Sequence, residues 1–230
     1  MPNFNYENPR NVNGSSVQSP EEQLFLLVME IIAYEGYQNL TTERLLKEGA
    51  DSTLLNRYQT REELCEAVFL DAAERIRLIY QSITEEAVDY LNTKEKTRDE
   101  SWKQLERLLY RHIYQCFHPK NRVYVLAAAQ ENLLPPGLNE ILPEVMYTSF
   151  GNVLSQLIMA VSEVKKAPIA AMITCSICGT IQAFVQQPEY CKNVFVGMTR
   201  EKPNYAVVED FLNNYFLRSI AVNTAINKPF

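Results

Sequence analysis

Apolar residues recur every three or four positions along most of the chain, and capping residues, prolines and a few glycines punctuate the breaks. The first run is Leu24, Leu27, Val28, Ile31 and Ile32. It follows Ser19-Pro20-Glu21-Glu22, which supplies a capping serine, a proline suited to the first helical position and a glutamate able to close a capping box. Gly36 suits the left-handed cap that ends such a helix. Thr41 caps a short second helix, about Thr42–Glu48, and Gly49-Ala50-Asp51 forms a turn. Asp51 or Ser52 then caps a third helix of about two turns. Thr60 to Glu63 reads as a second capping box, opening a long fourth helix along Leu64, Val68, Ala72, Ile76 and Ile79. Ile83, Ala87, Val88 and Leu91 prolong its apolar stripe.

Beyond a charged break at Asn92–Thr97, Asp99 can cap a helix whose Trp102, Leu105, Leu109, His112, Ile113 and Cys116 share one face; Pro119 stops it. A short helix spans about Asn121–Asn132, closed by Pro135-Pro136-Gly137. A long helix follows over about Leu138–Glu163, bent near Pro143. Pro168 opens a very apolar helix, about Ile169–Gln186, which Pro188 ends. Tyr190–Lys202 is a loop, and Pro203 starts a last helix over about Asn204–Asn223. The pattern predicts an all-α chain of about nine helices: three in a small N-terminal unit, a fourth that links, and a bundle of five. The expected divisions are a disordered tail over 1–19, a head over 20–66 and a body over 67–230.

The chain has 230 residues, 47% of them apolar and only seven glycine, enough to bury a sizeable core and too helical in pattern for an all-β fold. No stretch is expected to approach the ~18–20 uncharged apolar residues of a membrane helix. The N-terminus lacks the basic-then-apolar pattern of a secretory signal. Five cysteines without framework spacing fit a reducing compartment, so a cytoplasmic protein with no membrane partner is expected. Net charge is −6. Between Glu21 and Leu70, four bases (Arg44, Lys47, Arg57 and Arg61) face ten acids, a local balance of −6. A duplex-binding module ordinarily needs the opposite sign, because neutralising phosphates supplies most of its non-specific affinity.

Several segments of the head nevertheless resemble the DNA-binding domain of the tetracycline-repressor (TetR) family of bacterial regulators. They are Ile31-Ile32-Ala33-Tyr34-Glu35-Gly36-Tyr37, Leu40-Thr41-Thr42, Leu54-Leu55-Asn56-Arg57-Tyr58 and Arg61-Glu62-Glu63-Leu64. Pro119–Pro136, with Gln130-Glu131 before a proline break, is loosely similar to one branch of that family's body. The resemblance implies a helix-turn-helix head whose third helix enters the major groove, a ligand-binding body and a homodimer. It also implies that a bound small molecule alters the separation of the two heads.

On this resemblance Thr53, Asn56 and Arg57 are expected to reach base edges, and Thr42, Lys47, Tyr58 and Arg61 to hold phosphates of double-stranded DNA. The bland alternative is an ordinary solvated face. Trp102, Leu105, Leu109, His112 and Cys116, faced by Tyr124, Met146 and Phe150, form either a pocket for a small apolar or aromatic ligand or plain core. Ile169, Met172, Ile173, Ile177, Phe184, Phe211, Tyr215 and Phe216 exceed what one small body needs and suggest a two-fold interface. Cys175-Ser176-Ile177-Cys178 lies mid-helix among apolar residues and reads as core packing, since zinc needs about four ligands and no second pair exists.

No Ser/His/Asp spacing, phosphate loop, paired-acid motif, metal-ligand set or cofactor motif is present, so the chain is expected not to be an enzyme and to need no cofactor. The expected function is a ligand-responsive transcriptional regulator, a repressor that binds a palindromic operator as a homodimer. The alternative is the same scaffold without sequence-specific DNA binding, acting as a small-molecule or protein binding module. It is favoured by the acidic head, by a turn shorter than the family's, and by Asn56 and Gln59 at positions usually aromatic.

Overall fold

The structure, a computed structural model, describes residues 19–130, 133–162, 166–187 and 205–225. Of the expected tail over 1–19, residues 1–18 lie outside them, as does the loop at Tyr190–Lys202, whereas Ser19 is described and caps the first helix. Among the described residues every regular element is helical and there is no strand.

Helix α1 (Pro20–Glu35) starts on the reciprocal box read from the sequence: Ser19 Oγ accepts the Glu22 N–H at 3.1 Å, and Glu22 Oε2 accepts the Ser19 N–H at 2.9 Å. It ends at Gly36, whose φ of 90° favours glycine and whose N–H returns to the carbonyls of Ile31 and Ile32. After a 3₁₀ turn at Tyr37–Asn39, α2 (Thr42–Lys47) is capped by Thr41, and α3 (Ser52–Leu55) by the Asp51 carboxylate, which accepts the Thr53 N–H at 2.7 Å. The turn between them passes through Gly49 at φ 89°.

Helix α3 is a single turn rather than two. Asn56 is its C-terminal cap, Arg57 and Tyr58 lie beyond it, and Thr60 already caps α4 (Arg61–Leu91). The expected second box closes by only one bond: Thr60 Oγ1 accepts the Glu63 N–H at 3.1 Å, whereas Glu63 Oε2 takes the Gln59 N–H at 2.7 Å.

Helix α4 runs unbroken for 31 residues. Helix α5 (Arg98–Phe117) is capped by Thr97 rather than Asp99, and α6 (Pro119–Ala128) follows directly, with Pro119 as its first residue and His118 as its cap. Proline here starts a helix as well as stopping one, because its missing N–H costs nothing at a first turn. The long helix expected over Leu138–Glu163 is resolved into α7 (Leu138–Pro143), a π-helical segment (Glu144–Thr148) and α8 (Ser149–Val161). Pro143 cannot donate its bond to the preceding turn, and the widened π segment follows it.

Helix α9 (Ala167–Gln186) is 20 residues long without a charged side chain. By length and composition it is apolar enough to cross a membrane, which corrects the expectation that no stretch approaches that. Ala170, Thr174, Ile177, Ile181 and Val185 along it are buried. Helix α10 (Tyr205–Ala225) ends the described chain.

Helix α9 packs chiefly on α8, α10 on α5, and α1 more extensively on α6 than on α4. One continuous apolar core results, running from Leu24 and Val28 through Phe69, Leu109 and Phe150 to Leu212 and Ile220.

Candidate functional site

Three regions hold the residues singled out from the sequence. In the first, around α2, α3 and the start of α4, Thr42, Lys47, Thr53, Asn56, Arg57 and Arg61 are exposed and Tyr58 is half-buried. The acid balance acts here through specific contacts. Arg57 Nη1 lies 3.8 Å from Glu21 Oε1, and the Tyr58 hydroxyl donates to the same oxygen at 3.5 Å. The Arg61 guanidinium sits 4.1 Å from the centroid of the Tyr37 ring and 3.4 Å from Glu62. Tyr37 donates to Glu62 Oε1 at 2.8 Å; burial first, then this bond, pushes the phenol up to about 12. Arg44 is held between Glu35, at 2.8 Å, and Glu48. Among the described residues, Lys47 is the one basic group of the head without an acid partner.

The second region is the centre of the body. His112 is fully buried, and burial drives its pKa down to about 3, so the imidazole is neutral. Tyr80 on α4 places its hydroxyl 3.2 Å from His112 Nδ1. Phe150 on α8 stacks on the imidazole at 3.9 Å between centroids, and Tyr80 meets Phe150 edge-on at 6.0 Å. Cys116 Sγ lies 3.8 Å from Nε2. Leu105, Leu109, Cys116, Met146 and Phe150 are buried, and Trp102 and Tyr124 half-buried. The free space is small: a cavity of about 10 Å³ bordered by Tyr80, Cys116, Tyr124, Met146, Ile76 and Val125. That is room for about one water. The expected pocket is therefore mostly filled by its own side chains. Of the residues expected to line a pocket, Trp102, Leu105, Leu109, His112 and Phe150 do not border the cavity.

Tyr124 also borders a second cavity of about 60 Å³ between α1, α4 and α6. Beside it, Arg75 on α4 bonds Glu22 on α1 at 3.0 Å and Asp71 at 2.7 Å. Tyr80 and Arg75 were not among the residues expected from sequence. Tyr80 falls on the same stripe as Ile76, Ile83 and Ala87, which marks it as buried but not as the partner of His112.

The third region is the outer surface of α9 and α10. Ile177 and Phe216 are each only 3% exposed, packed within the chain itself, so they are monomer core rather than partner surface. Ile173 and Phe184 are half-buried. Ile169 and Tyr215 are exposed, and Met172 and Phe211 more so, at 70% and 58%. Val207 and Val222 extend the exposed stripe of α10, and the rings of Phe211 and Tyr215 stack at 6.0 Å. Cys175 is exposed and Cys178 half-buried, so the pair is not the core feature expected from its apolar surroundings.

Among the described residues, no group of three or more His, Cys, Asp or Glu side chains is placed to hold a metal ion. Neither a protein-family model nor a curated protein matches the chain.

Proposed function

We propose that this chain is a ligand-responsive transcriptional regulator of the TetR type, acting as a homodimeric repressor on a palindromic operator. The observation that carries this reading is the surface of the head. Thr42, Lys47, Thr53, Asn56, Arg57 and Arg61 all face solvent from α2, α3, the turn after α3 and the capped start of α4. In this reading Thr53, Asn56 and Arg57 read base edges, and Thr42, Lys47, Tyr58 and Arg61 hold phosphates. Met172, Phe211 and Tyr215 meet their copies across a two-fold axis. A small aromatic ligand enters beside His112 only when Phe150 or Met146 moves, so binding selects a loosened body.

The test is fluorescence anisotropy of the full chain with duplexes tiling the region upstream of its own gene, at low and near-physiological salt. Tight, salt-sensitive binding to one duplex supports the reading. In that case Lys47→Ala weakens all duplexes alike, whereas Asn56→Ala changes the preference among them.

A second reading has its own support. Glu21 holds both Arg57 and Tyr58, and α3 has one turn to present. Both favour a scaffold that binds a small molecule or protein without reading DNA sequence. Weak, equal binding to every duplex at low salt alone would favour it.

A further inference from the structure

Cys175 and Cys178 lie one helical turn apart on α9, and both line an open groove of about 420 Å³ between α8 and α9. Small residues keep the groove open. A Cβ on Gly179 would meet nothing within 4 Å, and one on Gly151 would lie 3.5 Å from the Thr174 methyl. Asn152, Gln182, Ser155 and Thr174 give it polar walls, with the last two hydroxyls bonded to each other at 2.9 Å. Cys175 faces solvent, while burial, reinforced by Cys175, pushes the Cys178 thiol up to about 12. At about 100° per residue, the two thiols fall on the flank of α9 away from Ile173 and Phe184. Met172, one turn before Cys175, stands at the edge of the groove, so the groove borders the apolar face assigned above to a second copy.

The spacing of the thiols selects their chemistry. Tetrahedral zinc requires four ligands, and among the described residues no third is placed to join them. A disulfide requires Cβ atoms about 3.5–4.5 Å apart. Residues three apart on a helix hold theirs at about 5–6 Å, so closing the bond would distort the turn that carries Thr174 and Ile177 into the core. A single bridging soft ion asks less of the helix: two metal–sulfur bonds near the ~2.3 Å of zinc–thiolate let the sulfurs stand ~4.6 Å apart when collinear. Soft thiolates select monovalent copper.

We propose that Cys175 and Cys178 form a two-coordinate site for a soft monovalent cation, Cu(I), in the α8–α9 groove. Binding replaces the two S–H protons: one Cu(I) and two thiols give a bis-thiolate of charge −1 and two released protons, and no electron moves. The amides of Asn152 and Gln182 supply hydrogen-bond donors for that charge within the same groove. The site does not depend on DNA binding and is tested without it.

The experiment is an anaerobic titration of the reduced full chain against the coloured Cu(I)–bicinchoninate complex, where loss of colour reports transfer. One Cu(I) per chain is expected, abolished in Cys175→Ser and in Cys178→Ser and unchanged in Cys65→Ser, Cys116→Ser and Cys191→Ser. Circular dichroism confirms that each variant is folded. The proposal is overturned by no transfer to the wild-type chain, by full transfer to the folded Cys175→Ser or Cys178→Ser chain, or by loss of transfer in Cys116→Ser or Cys191→Ser. It is equally overturned by half an equivalent per chain, which would place the ion between two copies.

Discussion

Lowering the pH from about 7.5 to 5 tests the burial of His112. In the folded chain burial holds its pKa at about 3, whereas the unfolded chain titrates near the ordinary 6.5. Above about 6.5 the ring is neutral in both states and its contribution is complete. Below that, the unfolded chain takes up a proton that the folded chain refuses, so stability falls, and it goes on falling until the folded ring titrates near 3. Each pH unit costs roughly 1.4 kcal/mol. At pH 5 the loss is therefore about 2 kcal/mol, a large share of the ~5–15 kcal/mol typical of a folded domain. The carboxylates of Glu22, Glu35 and Glu62 are held below their ordinary 4.5, chiefly by hydrogen bonds, and so act at more acid pH.

The assay is urea unfolding at several pH values for the wild type and His112→Phe, compared by midpoint at constant slope. His118 is common to both chains, so the difference between their pH profiles belongs to His112. The variant is less stable at pH 7.5, by about 1–3 kcal/mol, because the buried Tyr80 hydroxyl loses its His112 partner. Its stability then falls less towards pH 5 than the wild type's. Parallel profiles would refute the assignment of a neutral, buried imidazole.

Three further outcomes follow from the same contacts. Phe150→Ala removes a fully buried ring stacked on His112 and is expected to cost about 3–5 kcal/mol in urea unfolding, with part of the loss recovered on adding indole; a cost below ~1 kcal/mol would contradict the packing. Glu21→Gln releases Arg57 and Tyr58, so anisotropy should report tighter duplex binding with a steeper salt dependence; unchanged binding would count against a DNA-contacting role for the pair. Phe211→Glu puts a charge in the exposed stripe of α10, and light scattering should find a monomer where the wild type is a dimer, with the melting temperature of the single chain little changed. A wild-type chain that is already monomeric would remove the dimer from the proposal.

The helices were legible because their signals are local. Ser19 with Glu22, Thr41, Asp51 and the glycine at 49 act within a few residues of themselves, and each cap is where the sequence placed it. The length of α3 was not legible: it depends on how soon Thr60 starts the next helix, a competition that neither segment displays alone. Nor was the partition of the apolar surplus. Ile177 and Met172 are equally plausible interface residues by composition, but one points into the core and the other outward, and only the packing of α9 on α8 decides which. Tyr80 is absent from the sequence reading and the Cys175–Cys178 pair reads there as core, because the roles of Tyr80 and Cys178 depend on residues more than twenty positions away in the chain, beyond the reach of periodicity.

The unbroken core has a consequence for how this chain tolerates exchange of its parts. Helix α1 leans on α6 more than on its immediate neighbours, and Glu22 is tied to Arg75 across the junction. Residues 20–66 are thus not a portable cassette: cut away, they would bare Phe25, Leu26 and Met29, which border the cavity shared with Tyr124, and grafted elsewhere they would need a matching α6. Substitutions near Tyr124, which borders one cavity at the junction and another within the body, should accordingly be felt in both halves at once. Variation in the one half is then paced by compensation in the other, and a homologue with a different head should be recognisable first by what stands at position 124.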